Sequence, residues 1–129
     1  MPFSMSIDAD QGITRVWFDG AVTGRTIIAA TNELVVQSAF GEDMDQLWVF
    51  LEVTSLDISP EDMEAMVAHD TGLVEEGVMG QVKVAIVVTD TLRHIAARLY
   101  QKQMEPSGQE VRLFMRESAA EAWLRENQS

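Results

Sequence analysis

Leu47-Trp48-Val49-Phe50-Leu51 is the stretch on which the fold turns. Five successive apolar side chains point alternately to both faces of a strand. Such a strand belongs in the middle of a sheet covered on both sides, the signature of parallel pairing. Val82-Lys83-Val84-Ala85-Ile86-Val87-Val88 repeats the pattern and predicts a second inner strand. Between them lies Ser59-Pro60-Glu61-Asp62, a helix start with a capping serine, a proline at the first position and acids at the positive end. Met63, Met66, Val67, Leu73 and Val74 supply its buried stripe, and Gly72 is a candidate break in it. The central strand turns polar at Glu52-Val53-Thr54-Ser55, where a loop is expected.

Outward from this core, Ser4 to Asp8 alternates, with Phe3, Met5 and Ile7 on one face. Ala9-Asp10-Gln11-Gly12 has turn chemistry, and Ile13 to Asp19 reads as the partner strand of an antiparallel hairpin. Thr23 caps a helix carrying Ile27, Ala30, Thr31, Leu34, Val35 and Ser38, closed by Gly41. After the second inner strand, Thr89 or Asp90 caps a helix whose stripe is Leu92, Ile95, Ala96 and Leu99. Pro106-Ser107-Gly108 marks a loop, and Val111 to Met115 a last strand. Ser118-Ala119-Ala120-Glu121 has the form of a capping box, opening a helix that turns Ala122, Trp123 or both inward with Leu124. The predicted order is β-β-α-β-α-β-α-β-α, an α/β domain with a mixed, mostly parallel sheet of about five strands. No linker or repeat divides residues 1–129, so one domain is expected.

The 129 residues are 47% apolar, enough for one core. The absence of cysteine excludes disulfides, thiolate metal sites and a cysteine nucleophile. Net charge is −12 and uneven: residues 1–80 hold fifteen acids against Arg15 and Arg25, residues 81–129 seven bases against six acids. Such a field repels phosphate backbones, so no nucleic-acid partner is expected. The N-terminus lacks the basic and apolar regions of a signal peptide, and no apolar run is long enough for a membrane span. A cytoplasmic protein is the expectation.

In open α/β sheets ligands gather at the carboxyl ends of strands. That rule selects Glu52, Thr54, Ser55 and Asp57 after the first inner strand, Thr89, Asp90 and Thr91 after the second, and Arg116 and Glu117 after the last. Glu52, Asp57 and Asp90 would have to cluster to hold Mg²⁺. Ordinary caps and loop acids account for them more simply, so no metal or cofactor is expected. His69 and His94 are too far apart in sequence for a zinc pair and read as solvent-facing helix positions. No phosphate-binding, dinucleotide or nucleophile-elbow motif occurs, and a non-enzyme is expected. The methionines and the three tryptophans, Trp17, Trp48 and Trp123, read as core.

Asp19-Gly20-Ala21-Val22-Thr23 resembles the G-x-V-T lead-in to the first helix of SpoIIAA-like proteins, a STAS-like group named for anti-sigma-factor antagonists. Lys83-Val84-Ala85-Ile86-Val87 is similar to that group's K-V-A-I-V strand. Val111-Arg112-Leu113-Phe114 followed by Glu121-Ala122-Trp123-Leu124 resembles its V-x-x-F and E-A-x-x-W-L close, with shorter spacing after the alanine. The resemblance implies a regulatory protein-interaction module, with a protein partner. In STAS antagonists a serine in a D-S-S-G loop is phosphorylated. The comparable stretch here is Glu52-Val53-Thr54-Ser55-Leu56, lacking the Asp and Gly, with Ser55 or Thr54 in the matching place. Lipid-carrying modules of the wider fold group imply the alternative, a small apolar ligand. An exposed helix face or the free hairpin edge would be the surface for pairing two copies.

Overall fold

The computed structural model describes residues 2–126, with the side chains of Thr91 and Leu92 excepted. Five strands form one sheet whose spatial order equals the chain order: β1 (Phe3–Asp8), β2 (Ile13–Thr23), β3 (Asp45–Asp57), β4 (Lys83–Val87) and β5 (Glu110–Phe114). β1 and β2 are the antiparallel hairpin, and all later pairings are parallel. Trp48 sits beside Val16 on one side and Ile86 on the other, so the apolar run from Leu47 to Leu51 is central, as its two-faced pattern predicts.

Four α-helices connect or close the strands: α1 (Gly24–Val35), α2 (Pro60–Glu75), α3 (Thr91–Met104) and α4 (Glu117–Arg125). Each parallel crossover moves one strand further in the same direction. A right-handed connection then places its helix on the same face every time. The first three helices accordingly share one face, over Val16, Phe18, Trp48, Phe50, Val84, Ile86 and Val111. α4 follows the last strand and covers the opposite face, where Ala120, Trp123 and Leu124 meet Ile13, Leu47, Val49, Ala85 and Val87. Arg15 ties this helix down with a fork to Glu121, Nε to Oε2 at 2.7 Å and Nη2 to Oε1 at 2.9 Å. The fork raises the arginine and lowers the glutamate pKa.

The helix starts follow the sequence closely. Thr23 caps α1 through Thr26, and Ser59 with Asp62 forms a reciprocal capping box at α2. Gly24 lets the two helix starts approach, because a Cβ there would stand 2.6 Å from Asp62 Cβ. Several boundaries differ from expectation. α1 ends at Val35, well before Gly41, and the chain then turns back to β3. α2 runs through Gly72 to Glu75, since the surrounding residues hold the helix against the cost of one glycine. Ser118 does not cap α4; Arg116 holds the cap position without a side-chain bond, and Glu121 is taken by Arg15. Ala122 faces solvent, whereas Ala120, Trp123 and Leu124 are buried.

β2 and β3 are longer than the sequence predicts. Beyond the apolar run they continue as a ribbon, pairing Asp19 with Glu52 and Thr23 with Asp57. Two register shifts interrupt this ribbon, and Gly20 supplies the positive φ of 68° at the second. α3 is rotated from its predicted face. Ile95 and Leu99 are 60% and 46% exposed, while Ala97 and Met104 are buried and Ala96 and Tyr100 partly so. Two helical stripes compete here, and the helix turns its small residues Ala96 and Ala97 toward Trp48, Val84 and Ile86 of the sheet and its larger Ile95 and Leu99 outward. Leu92, expected in that stripe, and Thr91 lie outside the described side chains.

Candidate functional site

The stagger between sheet and helices leaves an apolar cavity of ≈ 60 Å³ on the three-helix face. Gln46, Trp48 and Phe50 of β3, Val84 and Ile86 of β4 and Val88 just beyond it form its floor. These positions share one face because strand side chains alternate. Met63 and Met66 of α2 and Ala96, Ala97 and Tyr100 of α3 form its roof. Leu56, Ile58 and Arg93 close the end toward the strand carboxyl termini. About 10–15 Å³ measured this way holds one water, so the space admits a few water-sized groups. The space under the roof follows from Ala96 and Ala97 facing inward while the larger Ile95 and Leu99 lie on the outer side of α3.

A polar chain spans the helices above this cavity. Asp70 of α2 is buried and accepts from Tyr100 Oη of α3 at 2.5 Å. His69 Nδ1 lies 3.3 Å from the other Asp70 oxygen, and its Nε2 lies 2.8 Å from Asn32 Oδ1 of α1. One network thus links all three helices. Burial raises the Asp70 pKa, against the bonds from Tyr100 and His69, which lower it. Burial and the neighbouring carboxylate raise that of Tyr100 well above its ordinary value, so the phenol stays a donor at neutral pH. His69 is therefore a partly buried bridge between helices and not the solvent-facing residue expected from sequence.

The sign of the Asp70 shift gives a testable result. A carboxyl whose pKa rises on folding favours the folded state below its unfolded value of about 3.9. That contribution is lost as pH rises through the folded value. Asp70→Asn removes the buried charge while keeping an oxygen for Tyr100. The variant is expected to equal or exceed the wild type by up to about 1 kcal/mol at pH 7. Its advantage should disappear toward pH 3.5, measured by urea unfolding at both pH values. A variant that is clearly less stable at pH 7 would show that the carboxylate itself holds the helices together.

The residues selected by strand ends fall elsewhere. Glu52, Thr54, Ser55 and Asp57 are exposed and lie within β3, in the ribbon with β2, and not in a loop. One face of the ribbon is covered, through Val22 and Val53, but the residues selected from sequence alternate with them onto the exposed face, and so many polar side chains in a row read like a loop. Asp90 caps α3 by accepting from the Arg93 backbone N–H at 3.2 Å, and Thr89 is exposed beside it. None of Glu52, Thr54, Ser55, Asp57, Thr89 and Asp90 lines the cavity, although Leu56, Val88 and Arg93 next to them do. Glu117 accepts from Trp17 Nε1 at 3.2 Å across the opposite face. Among the described residues no three acidic or histidine side chains gather in a metal-binding group. No helix among them is long and apolar enough to cross a membrane.

No protein-family profile and no curated protein sequence matches the chain. A solved structure does, that of an uncharacterized protein from the DUF3478 family with a SpoIIAA-like fold, from Shewanella loihica PV-4. The two superpose with a TM-score of 0.57 at 18% identity, over 95% of this chain and 93% of the other. The chain has a SpoIIAA-like fold. The likeness spans the hairpin, the parallel strands and the helices together, so the SpoIIAA-like motifs quoted from the sequence mark structural positions: the ribbon before α1, strand β4 and the approach to α4. Gln46, Asp70 and Tyr100 carry no signal in the sequence, and His69 reads there only as a solvent-facing helix position. They come from one strand and two helices, and only the SpoIIAA-like arrangement of layers assembles them.

Proposed function

We propose that this SpoIIAA-like chain is a non-catalytic module that takes a small, mostly apolar molecule between its sheet and helices α2 and α3. The observation that carries the reading is the cavity floored by Trp48, Phe50, Val84 and Ile86, with Thr31, Gln46, Asp70, Arg93 and Tyr100 as its few polar groups. Such a lining, apolar with sparse convergent polar atoms, is the usual composition of a small-molecule site. A space of this size takes part of a ligand, and the rest is accommodated by outward movement of α3, which is held over the cavity by small residues. A catalytic role fits the polar chain poorly. His69 points its Nε2 at an amide and not at a hydroxyl nucleophile.

Native mass spectrometry of protein purified unheated and undialysed from its own cells tests this. The expected result is a discrete mass adduct of a small organic molecule. Ala97→Leu extends a side chain into the cavity and should abolish the adduct while leaving the melting temperature unchanged or higher. A ligand-free mass for the wild type counts against the proposal.

One observation supports a second reading, a regulatory module that docks a protein. Ile95 and Leu99 stand one turn apart on the outer side of α3 and are exposed. Ile95→Glu together with Leu99→Glu would then abolish partner capture by crosslinking in cells, and unchanged crosslinks would remove this reading. Phosphorylation at Ser55 or Thr54 belongs to the same reading and is open to phosphate mapping of the native protein.

A further inference from the structure

The inner end of the cavity carries a hydrogen-bond donor with nothing to donate to. Gln46 is 2% exposed and lines the cavity floor. Trp48 Nε1 lies 3.0 Å from its side-chain oxygen. An indole N–H can only donate, so this contact fixes which end of the amide is which. The oxygen faces the indole, and Nε2 is left with two protons. Nε2 has no hydrogen-bond partner among the described residues.

The neighbouring polar groups are already committed. Thr31 donates to Ile27 O at 3.1 Å, and Tyr100 donates to Asp70. Leaving an amide N–H2 buried without an acceptor is unfavourable, and native proteins seldom do so without a reason. A water here would find few polar partners in so apolar a lining.

Resting on the cavity reading above, we propose that the ligand is an apolar molecule headed by a neutral carbonyl oxygen, as in a ketone or ester, and that Gln46 Nε2 receives that oxygen. The head is neutral for two reasons. An ionised carboxylate at the Gln46 end would be desolvated with only an amide beside it, because Arg93 stands at the opposite end of the cavity. It would also share the cavity with the Asp70 carboxyl. From Gln46 the floor continues through Trp48 to Phe50, four residues or about 13 Å of strand. The hydrocarbon body lies along this track, pointing toward Leu56, Ile58 and Arg93.

The test uses three probes of matched size on the full chain at neutral pH: methyl hexyl ketone, octene and octanoate. Binding is followed by nitrogen-15 NMR, including the Gln46 side-chain amide signals. The ketone is expected to bind about tenfold more tightly than octene, the value of one satisfied donor. Octanoate is expected to bind more weakly than the ketone. The Gln46 amide protons should move downfield with the ketone and stay in place with octene. In Gln46→Leu the ketone and octene should bind equally. The wild-type amide signals decide the matter even where this variant folds poorly through loss of the Trp48 partner. Equal binding of ketone and octene to the wild type, with the amide signals unmoved, would overturn the inference while leaving the cavity reading in place. Tighter binding of octanoate would overturn the neutral head. Failure of all three probes would remove the cavity reading and this inference together.

Discussion

Phe18→Ala is expected to lower stability by about 3–5 kcal/mol. The ring is 1% exposed at the centre of the three-helix face. It stacks on Phe50 at 4.8 Å with an interplanar angle of 9°, lies 5.9 Å from Trp48, and meets Phe3 at 6.0 Å in a tilted contact. Such pairs add to simple area burial. Three strands meet through this one side chain, and it is too enclosed for neighbours to collapse into the gap. Domains of this kind have about 5–15 kcal/mol in total, so the variant should be partly unfolded at physiological temperature. Phe18→Leu should restore more than half of the loss. Urea unfolding at constant pH measures both, and a loss below about 1 kcal/mol would mean that the aromatic stack is not what holds β1, β2 and β3 together.

Trp123→Ala is expected to cost a similar amount, about 3–5 kcal/mol, but with a different character. Trp123 is the anchor of α4, which alone covers the opposite face. Its ring tilts against Phe114 at 5.6 Å, with Lys83 Nζ and the Arg112 guanidinium 5.2 Å and 5.0 Å from its centre. Lys83 Nζ also donates to the Trp123 carbonyl oxygen at 3.1 Å. Without the indole, a nine-residue helix keeps Ala120 and Leu124 as its buried side chains, with the Arg15 fork and the bonds from Trp17 and Lys83 as its polar ties. Helices this short do not persist in water without packing. Hydrogen exchange of the α4 amides should therefore speed up far more than that of β3, and the variant should aggregate through Leu47, Val49 and Val87. The cavity lies on the other side of the sheet, so any ligand binding should survive below the melting transition. Wild-type protection of the α4 amides in this variant would contradict the account.

These two side chains also show what the sequence makes legible. The doubled apolar strands, 47–51 and 82–88, imply a sheet covered on both sides because no other arrangement buries both sets of alternate residues. The capping signals at Thr23 and Ser59 mark helix starts because they act through local bonds. What could not be read depends on distant partners. The ribbon of Asp19–Thr23 with Glu52–Asp57 buries only Val22 and Val53 and exposes polar residues on its other face, so its pattern is close to that of a loop. Ile95 and Leu99 drew attention as the bulky residues of α3, yet its inner side is chosen by the room left above Ile86 and Trp48, a property of the sheet. Gln46 looks like a polar residue opening a strand, and only its placement between Trp48 and the cavity gives its amide a chemical meaning. Asp70 and Tyr100 are thirty residues apart and meet only once α2 and α3 lie side by side.

The strands lie in space in the order in which they are synthesised. As the chain leaves the ribosome, each new strand finds the previous one waiting at an open edge, and none must wedge between two already joined. Chains emerge at about 5–20 residues per second, slower than the microsecond closure of a hairpin, so β1 and β2 can act as a seed while β5 is still unmade. α4 follows all five strands, leaving the greasy back of the nascent sheet in need of protection until that helix has emerged.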